Sequence, residues 1–501
     1  MQQAEGHAIM TSKRILASVS AVAVSLALSG CLGGGGAVPS ASAPITQTEA
    51  QQGADAHPKL LAEFGGSMTG PQADYVERVG KNIAVQSGLG NARDSFTVSL
   101  VNSSVNNAFA IPGGYIYTTR QLVALMNNEA ELAAVLGHEV GHVAARHSQR
   151  RQQAAQRNSI LGALGAIASN VLLGNSGIGD TLSRGFLQGS QLLTLRFSRS
   201  QELEADELGI QYLTRAGYDP QSMSTVLRSL ALQNSLDAQL QGRNNATIPE
   251  WASTHPDPAS RVSTASQKAR GLAGTVTNRD TFLASIDGLL YGDDPAQGVI
   301  EGQRFVHPEL GFSFTSPDGF YMVNGTRAVS INGQAGQAQL TLGRYDGNLE
   351  SYVRQVFAAL GGDQQRLEPT SVQRTTVNGI PAAVGTARVN TGQNTVDVAV
   401  FAYEFGNDRA YHFQAITPAN RMSTFTPMFN SMRRISQSEA AAVVPRRIDV
   451  VTVGSGDTVA SLSQRMAYDR AQEQRFRVLN GLGSSDTVRA GQKVKLVVRA
   501  R

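Results

Sequence analysis

Cysteine, tryptophan and charged residues are scarce in this sequence. Of its 501 residues, one is cysteine, one is tryptophan and 16% are charged. A single cysteine excludes an intramolecular disulfide framework and a zinc site built from several cysteines. Apolar residues make up 41% of the chain and aromatic residues 6%, which excludes a polytopic membrane protein and a fully disordered chain. The length predicts about three domains.

Charge is unevenly distributed along the chain. Residues 446–501 contain eleven Lys/Arg and five Asp/Glu, while the whole chain has a net charge of only +4. The rest of the chain is therefore close to neutral, and the basic tail would suit an anionic surface. Nucleic-acid binding is not indicated, because aromatic residues do not alternate with Lys or Arg.

The first 31 residues have the features of an export signal, with either Met1 or Met10 as the start. An apolar stretch at 15–28 follows two basic residues and is too short to span about 30 Å of hydrocarbon comfortably. It ends in Leu-Ser-Gly-Cys31, which resembles a bacterial lipobox. The resemblance implies lipidation of Cys31 and, because Leu32 follows, an outer-membrane destination. A plain secretory signal with a chance cysteine is the alternative.

Composition divides the rest of the chain into four parts. Residues 32–56, rich in Gly, Ala, Ser, Pro and Gln, predict a flexible tether. A mainly helical unit is expected at 57–285, an α+β unit at 300–436 and a compact tail at 448–498. The expected fold class is therefore α+β and multidomain, with a small edge sheet in the first unit.

Periodicity predicts the elements of the first unit. Helices are expected at 57–85, 128–146, 195–214 and 220–240, and strands at 96–105 and 107–117. Pro112-Gly113-Gly114 interrupts the second strand, which favours an edge or a hairpin. The apolar stretch 159–173 is too short to span a membrane. It would either pack on the core or contact a membrane or client protein.

One motif on the predicted helix 128–146 indicates metal chemistry. His138-Glu139-Val140-Gly141-His142 places two imidazoles four residues apart, on one helix face and about 5–6 Å from each other. This spacing suits two ligands of one metal ion, with Glu139 beside a metal-bound water. Catalytic zinc usually has three protein ligands. Glu202, on the next predicted helix, is the best candidate for the third.

Other residues near these motifs receive different interpretations. Asp206 lies one helical turn after Glu202, where it can accept a hydrogen bond from a ligand imidazole. Glu204 points away and is interpreted as a solvated charge. His147 lies five positions after His142 and is predicted to be on the surface. No site is assigned to three further histidines, which are His57, His307 and His412.

Four segments together resemble the HtpX/BepA/LoiP group of bacterial zinc metalloproteases, relatives of the CAAX prenyl endopeptidase. They are NAFAIPGGYIY (107–117), ELAAVLGHEVGHVAARH (131–147), SRSQELEADELGI (198–210) and THPDPASR (254–261). The resemblance implies a zincin-type domain with one zinc per chain. It implies His138, His142 and Glu202 as ligands, Glu139 as the catalytic base and Asp206 beside a ligand. In relatives, the histidine matching His255 can approach the metal and gate the site, and the arginine matching Arg261 lies nearby.

The strand at 107–117 is the candidate substrate site. It is apolar and Gly-rich, so its backbone is expected to pair with an extended substrate by strand addition. The residues expected to line the cleft are Asn107, Ala108, Phe109 and Ala110.

The other two units also show resemblances. Residues 448–498 resemble a LysM module, from VGSGDTVASL (453–462), VLNGL (478–482) and VRAGQKVKL (488–496). This implies a βααβ fold that binds peptidoglycan, although 468–475 is unusually charged. The alternative is a small basic module that binds something else or only packs. Residues 300–436 resemble the opening of PsbP-type domains weakly, and we interpret them as a binding or spacer domain.

These observations predict a zinc-dependent endopeptidase that cleaves misfolded or stalled envelope proteins. It would be lipid-anchored at the periplasmic face of the outer membrane and bound to peptidoglycan through its tail. One alternative is a non-enzymatic envelope assembly factor or chaperone. A second is a cell-wall hydrolase, which the metal motif makes the weaker choice because it matches peptidases of another kind.

Overall fold

The computed structural model of the chain describes residues 43–151, 197–240, 255, 257–361, 367–391 and 394–500. Cys31 and the apolar stretch 159–173 lie outside these residues. The described residues all belong to one unit, Val38–Arg501. Among the helices in these ranges, none has both the length and the apolarity that a membrane span requires.

The first helix, α1 (Gln47–Glu63), begins inside the segment predicted to be a tether. The Thr46 hydroxyl accepts a hydrogen bond from the Glu49 N–H at 3.2 Å, and the Glu49 carboxylate accepts one from the Thr46 N–H at 2.8 Å. This reciprocal capping satisfies two backbone groups that a helix start leaves unpaired. The prediction of a tether at 32–56 is therefore wrong for residues 47–56.

The single helix predicted at 57–85 is two helices. The second one, α2 (Pro71–Ala84), is separated from α1 by a segment in which Gly65, Gly66 and Gly70 have φ values of +83°, +85° and +91°. Such values are readily adopted only by glycine. The chain therefore turns sharply between the two helices.

A three-stranded sheet follows α2. Its strands are β1 (Thr97–Val101), β2 (Ala108–Ile111) and β3 (Tyr115–Thr119), in the order β1-β3-β2. Strands β2 and β3 form an antiparallel hairpin around Pro112-Gly113-Gly114, and β1 runs parallel to β3. The prediction of a hairpin with an edge strand at 107–117 is confirmed.

Six further helices of the first unit lie wholly within the described residues, and α4 is at their centre. They are α3 (Arg120–Leu125), α4 (Glu129–Ala144), α5 (Arg199–Arg215), α6 (Ser222–Leu240), α7 (Pro258–Ala269) and α8 (Arg279–Ile286). Helix α4 contacts α2, α5 and α6, as well as β2 and β3. Almost every residue of α4 is buried, so its polar side chains lie inside the protein.

Residues 290–441 contain a short strand and the α+β domain that was predicted at 300–436. After β4 (Leu290–Tyr291), two antiparallel sheets form, in the orders β11-β12-β13-β14-β10-β9-β8 and β15-β7-β6-β5. Helix α9 (Leu349–Gly361) covers one face of the larger sheet, and the smaller sheet packs on the other. The strands are β5 (Val299–Glu301), β6 (Arg304–His307), β7 (Phe312–Thr315), β8 (Tyr321–Asn324), β9 (Ala328–Gly333), β10 (Gly336–Arg344), β11 (Ser371–Val377), β12 (Ile380–Asn390), β13 (Thr395–Gly406), β14 (Arg409–Pro418) and β15 (Arg433–Arg434). Two short helices flank β15, with α10 (Thr426–Ser431) before it and α11 (Gln437–Ala441) after it.

The tail has the predicted βααβ order. It consists of β16 (Arg446–Thr452), α12 (Val459–Ser463), α13 (Gln472–Leu479) and β17 (Lys493–Arg499). Strand β4 pairs with β16 and extends the tail's sheet to three strands. Apolar residues of the tail, including Leu462, Phe476 and Leu496, belong to the same buried core as Val140 of α4. The tail therefore packs against the first unit.

A buried lysine lies where the tail meets the first unit. Lys495 of β17 is fully buried, and its Nζ donates to the carbonyl oxygens of Ala124 at 2.7 Å and Met126 at 2.5 Å. These carbonyls are at the carboxyl end of α3, where the helix dipole favours a cation. Arg279 of α8 links the same region, donating to the carbonyls of Asn127 and Lys493.

Candidate metal centre

Helices α4 and α5 carry the predicted metal site, and glycines let them approach closely. A Cβ on Gly141 would lie 3.0 Å from the carbonyl oxygen of Ala205, and one on Gly209 would lie 3.1 Å from the backbone nitrogen of His138. Both distances are tighter than ordinary contacts. The small residues of α4 therefore allow α5 to place Glu202 and Asp206 beside the histidines.

Three predicted ligands form a small triangle. Nε2 of His138 is 3.0 Å from Nε2 of His142, and these atoms lie 3.5 and 3.4 Å from the two carboxylate oxygens of Glu202. Ligand atoms of a tetrahedral zinc ion, bonded at about 2.0–2.2 Å, are about 3.3–3.6 Å apart. Two imidazole nitrogens and a carboxylate are also a usual donor set for zinc. The residues present therefore fit the metal.

His255 lies at the fourth corner of this site. Its Nδ1 is 3.3 Å from Nε2 of His138 and 3.1 Å from Oε1 of Glu202. The ligand atoms of the four-residue cluster, His138, His142, Glu202 and His255, lie within 4.8 Å of one another, and all four residues are buried. The cluster can hold a metal ion without further ligands.

Asp206 and Arg261 contact ligand residues of the cluster. Oδ1 of Asp206 is 2.9 Å from Nδ1 of His138, the ring nitrogen that faces away from the triangle. Arg261 donates to Asp206 through Nε at 2.7 Å and to Glu202 through Nη1 at 2.5 Å. One buried guanidinium therefore neutralises charge on two buried carboxylates.

Glu139 is buried next to the cluster. Its Oε1 accepts no hydrogen bond within the described part of the chain, and Nε2 of His255 is 3.4 Å away. Burial raises the pKa of Glu139 to about 8, although the charges of His255 and Arg261 oppose this shift. The carboxyl group is therefore buried, unpaired at one oxygen and able to carry a proton near neutral pH.

His142 and Glu202 have the charge states that metal binding needs. Burial holds the pKa of His142 well below its usual value, so the imidazole is neutral. Burial opposes ionisation of Glu202, but the three neighbouring histidines outweigh it and hold the pKa of this carboxyl well below its usual range. A neutral imidazole and an ionised carboxylate are the forms that bind metals.

The prediction that His147 lies on the surface is wrong. His147 is fully buried, and its Nδ1 is 2.8 Å from Nδ1 of His142. The reason is local: α4 ends at Ala144, and Arg146 has a φ of +50°, so His147 begins a new helical segment and does not continue the helix of His142. Burial lowers the pKa of His147, although the neighbouring Glu204 opposes this shift.

Glu204 is only partly the solvated charge that was predicted. Its side chain is 41% exposed, but Oε2 is 3.1 Å from Nε2 of His147 and 3.0 Å from Nη1 of Arg150. Burial alone would raise the pKa of Glu204, but the hydrogen bond with His147 and the charge of Arg150 keep it below its usual value.

The predicted substrate residues lie along β2, at the edge of the sheet. Ala108 and Phe109 are buried, Ala110 is half-buried, and β2 contacts α4. Asn107 precedes the strand, and its buried Oδ1 has no hydrogen-bond partner among the described residues. Within the described chain, β2 therefore has one backbone edge without a strand partner.

The histidines without an assigned site lie elsewhere. His57 is 2.7 Å from the Tyr117 hydroxyl, and His412 is 2.8 Å from the Tyr352 hydroxyl. His307 and His412 belong to the α+β domain. None of the three belongs to the four-residue cluster.

Two parts of the chain match known families. Residues 71–269 match peptidase family M48, and residues 451–497 match the LysM domain. The beta-barrel assembly-enhancing protease of Yersinia pestis is 34% identical over 224 residues, which are 44% of this chain and 44% of that protein. The mitochondrial metalloendopeptidase OMA1 of Schizosaccharomyces pombe is 31% identical over 217 residues, 43% of this chain and 59% of that protein. The chain thus matches less than half the length of the Yersinia protein.

A solved structure bears on the predicted likeness of residues 300–436 to PsbP. The solution structure of the cyanobacterial PsbP protein of Synechocystis is 16% identical and covers 26% of this chain and 91% of that one, with a TM-score of 0.22. A score this low supports no conclusion, so the likeness stays a prediction.

Proposed function

We propose that the chain, whose residues 71–269 match peptidase family M48, acts as a zinc-dependent endopeptidase of the bacterial envelope. The observation that carries this proposal is the triangle of His138, His142 and Glu202, with sides of 3.0–3.5 Å, next to the buried Glu139. Its substrates would be envelope proteins, including misfolded or stalled ones.

His138, His142 and Glu202 would hold the zinc ion. When bound, zinc polarises the scissile carbonyl and makes a water molecule more acidic. Glu139 would take the proton of this water and pass it to the leaving amine. The raised pKa of Glu139 supports this role, because the carboxyl group can carry the proton between the two steps. Asp206 and Arg261 would keep His138 and Glu202 in place.

His255 would gate the site. It lies at the fourth corner, 3.3 Å from Nε2 of His138, where the attacking water is needed. We therefore expect His255 to move aside before a substrate is cleaved. Because His255 precedes α7 and Arg261 lies within it, His255 could move aside while Arg261 stays bound to Asp206.

The substrate would add a strand to β2. In the described chain β2 pairs with β3 on one side only, so its other edge has backbone groups available for an extended peptide. Asn107 precedes this edge, and its buried Oδ1 has no hydrogen-bond partner among the described residues. Ala108, Phe109 and Ala110 would run alongside the bound peptide.

Two further features support a location at the cell envelope. Cys31 would carry a lipid that anchors the chain in the outer membrane on the periplasmic side. The LysM domain would bind peptidoglycan. Membrane fractions of cells that express the wild type or a Cys31→Ser variant test the anchor, since only the wild type should sediment with membranes. Co-sedimentation with purified peptidoglycan tests the tail.

Zinc content and casein cleavage test the central proposal. Wild-type protein should contain about one zinc ion per chain and cleave casein, whereas Glu139→Gln should keep the zinc and lose cleavage by about 10²–10⁴-fold. Equal cleavage by the two proteins, or a wild type without zinc, contradicts the proposal.

The closed position of His255 also fits a second function, a non-enzymatic assembly factor. In that case Glu139→Gln would correct an envelope-stress defect as well as the wild type does. A cell-wall hydrolase would instead release soluble muropeptides from peptidoglycan.

A further inference from the structure

His147 lies directly behind the proposed zinc ligand His142. The two Nδ1 atoms are 2.8 Å apart, and the rings meet nearly edge to face, at 71°. On its far side, Nε2 of His147 is 3.1 Å from Oε2 of Glu204. His142, His147 and Glu204 therefore form a continuous row of hydrogen-bonding groups that leads from the proposed metal site to the protein surface.

Only one arrangement of protons satisfies both contacts when His147 is neutral. The Glu204 carboxylate can only accept, so Nε2 of His147 must carry the hydrogen that is donated to it. The Nδ1 of a neutral His147 is then an acceptor, and His142 must donate from its own Nδ1. The lone pair of His142 is left on Nε2, which is the atom that faces His138 and Glu202.

We propose that His147 and Glu204 are positioning residues that fix the tautomer and the ring orientation of His142 for zinc binding. This inference rests on the proposed metalloprotease function. His147 and Glu204 would position the ring of His142 as Asp206 positions the ring of His138. The Nδ1 of His138 is 2.9 Å from a carboxylate oxygen of Asp206.

Several independent contacts hold His147 and Glu204 in these positions. The turn at Arg146 lets the His147 ring contact His142 of α4. The Arg146 side chain forms an ion pair with Glu49 of α1 at 3.2 Å. Gln201 of α5 donates to the carbonyl of His147 at 3.2 Å. Arg150 binds both oxygens of Glu204, at 3.0 and 3.1 Å. His147 is thus held by its backbone and by its ring.

A second contact restricts the other face of His142. The ring of Phe197 stacks on it, with centroids 3.9 Å apart and planes 20° from parallel. Phe197 holds the plane of the imidazole but cannot distinguish one tautomer from the other. The choice of tautomer therefore depends on His147.

Zinc affinity of the full-length protein tests this inference, measured by competition with a chromophoric chelator. His147→Phe keeps a ring of similar size and removes both hydrogen bonds, so Kd should rise about 10–100-fold. His147→Asn places an amide oxygen near the original Nδ1, where it can accept from His142, so Kd should rise less. Glu204→Gln should raise Kd by an amount between the wild type and His147→Phe.

Glu207→Gln is the matched control. It removes the same charge from α5, but Glu207 binds the exposed Lys268 at 3.0 Å and does not contact His147. Its Kd should stay within about twofold of the wild type.

The ranking of the variants by their zinc Kd distinguishes a positioning role of His147 from simple packing. If His147 only fills space, His147→Phe binds zinc as tightly as the wild type and His147→Asn binds more weakly, which overturns the inference. Should His147→Phe fail to fold, equal Kd values for Glu204→Gln and Glu207→Gln overturn it as well. A wild type that binds no zinc refutes the proposed function, whereas tight zinc binding that is unaffected by these variants refutes only the positioning role.

Discussion

Gly141 of α4 faces Ala205 of α5 so closely that a Cβ on Gly141 would lie 3.0 Å from the Ala205 carbonyl oxygen. This contact sets the separation of the two helices where one carries His138 and His142 and the other carries Glu202. The size of the ligand triangle therefore depends on the absence of a side chain at position 141.

Gly141→Ala should weaken zinc binding and lower stability. The added methyl group pushes α5 away, which enlarges the triangle and costs about 1–3 kcal/mol in the free energy of unfolding. Gly80→Ala is the control, since its Cβ would meet Val98 at 2.6 Å in the same core but away from the site. Both variants should unfold at lower urea concentrations, and only Gly141→Ala should raise the zinc Kd. Equal zinc affinities of the two variants would contradict this explanation.

Arg261→Met should strongly destabilise the zinc-free protein. Arg261 is 1% exposed and binds both Glu202 and Asp206, so its loss removes the permanent positive charge beside two buried carboxylates. Removal of one partner of a buried ion pair typically costs about 3–5 kcal/mol. Lys268→Met, on the same helix but in an exposed pair with Glu207, should cost less than about 1 kcal/mol. Urea unfolding in the presence of a chelator measures both, and similar costs would show that Arg261 does not neutralise the site.

Lys495→Met should loosen the tail from the first unit. The carbonyls of Ala124 and Met126 lose a buried donor, at a cost of about 1–3 kcal/mol in the free energy of unfolding. Lys493→Met removes a neighbouring lysine whose Nζ is 4.0 Å from Asp280 and partly exposed, and it should change stability by less than about 0.5 kcal/mol. Urea denaturation compares the two variants. If the two variants are equally stable, the Lys495 side chain does not stabilise the packing of the tail against the first unit.

His412 should make stability depend on pH between about 4 and 6.5. Burial lowers the pKa of His412 to about 4 in the folded protein, from an ordinary value of 6.5. As the pH falls through this range, the unfolded chain takes up a proton that the folded protein does not, so stability decreases, by at most about 3 kcal/mol. His412→Asn keeps an acceptor for the Tyr352 hydroxyl and should show a shallower decrease in urea unfolding at pH 6.5, 5 and 4. Parallel curves for the two proteins would refute the shift.

The sequence predicts the centre of the candidate site better than its surroundings. The four-residue spacing of His138 and His142 defines a helix face, and the acidic segment on α5 contains Glu202 and Asp206 at the same face. His147 is misplaced because its position was projected along a helix that in fact ends at Ala144. The left-handed conformation of Arg146 has no local signature, since arginine seldom adopts it.

The fold shows the same contrast between local and long-range information. Residues 47–56 of α1 were missed because this Gln- and Ala-rich segment looks like a linker. Its capping pair, Thr46 and Glu49, is a signal that the sequence does contain. The docking of the tail was not predictable, because a single lysine in a strand normally indicates a solvent-facing position. Only the tertiary contact with the end of α3 shows that Lys495 is buried.

The pairing of β4 with β16 and the burial of Lys495 join the LysM domain to the core that contains α4. A glycan strand bound by this domain would therefore do more than hold the protein close to the cell wall. It would also set the direction in which the metal centre faces.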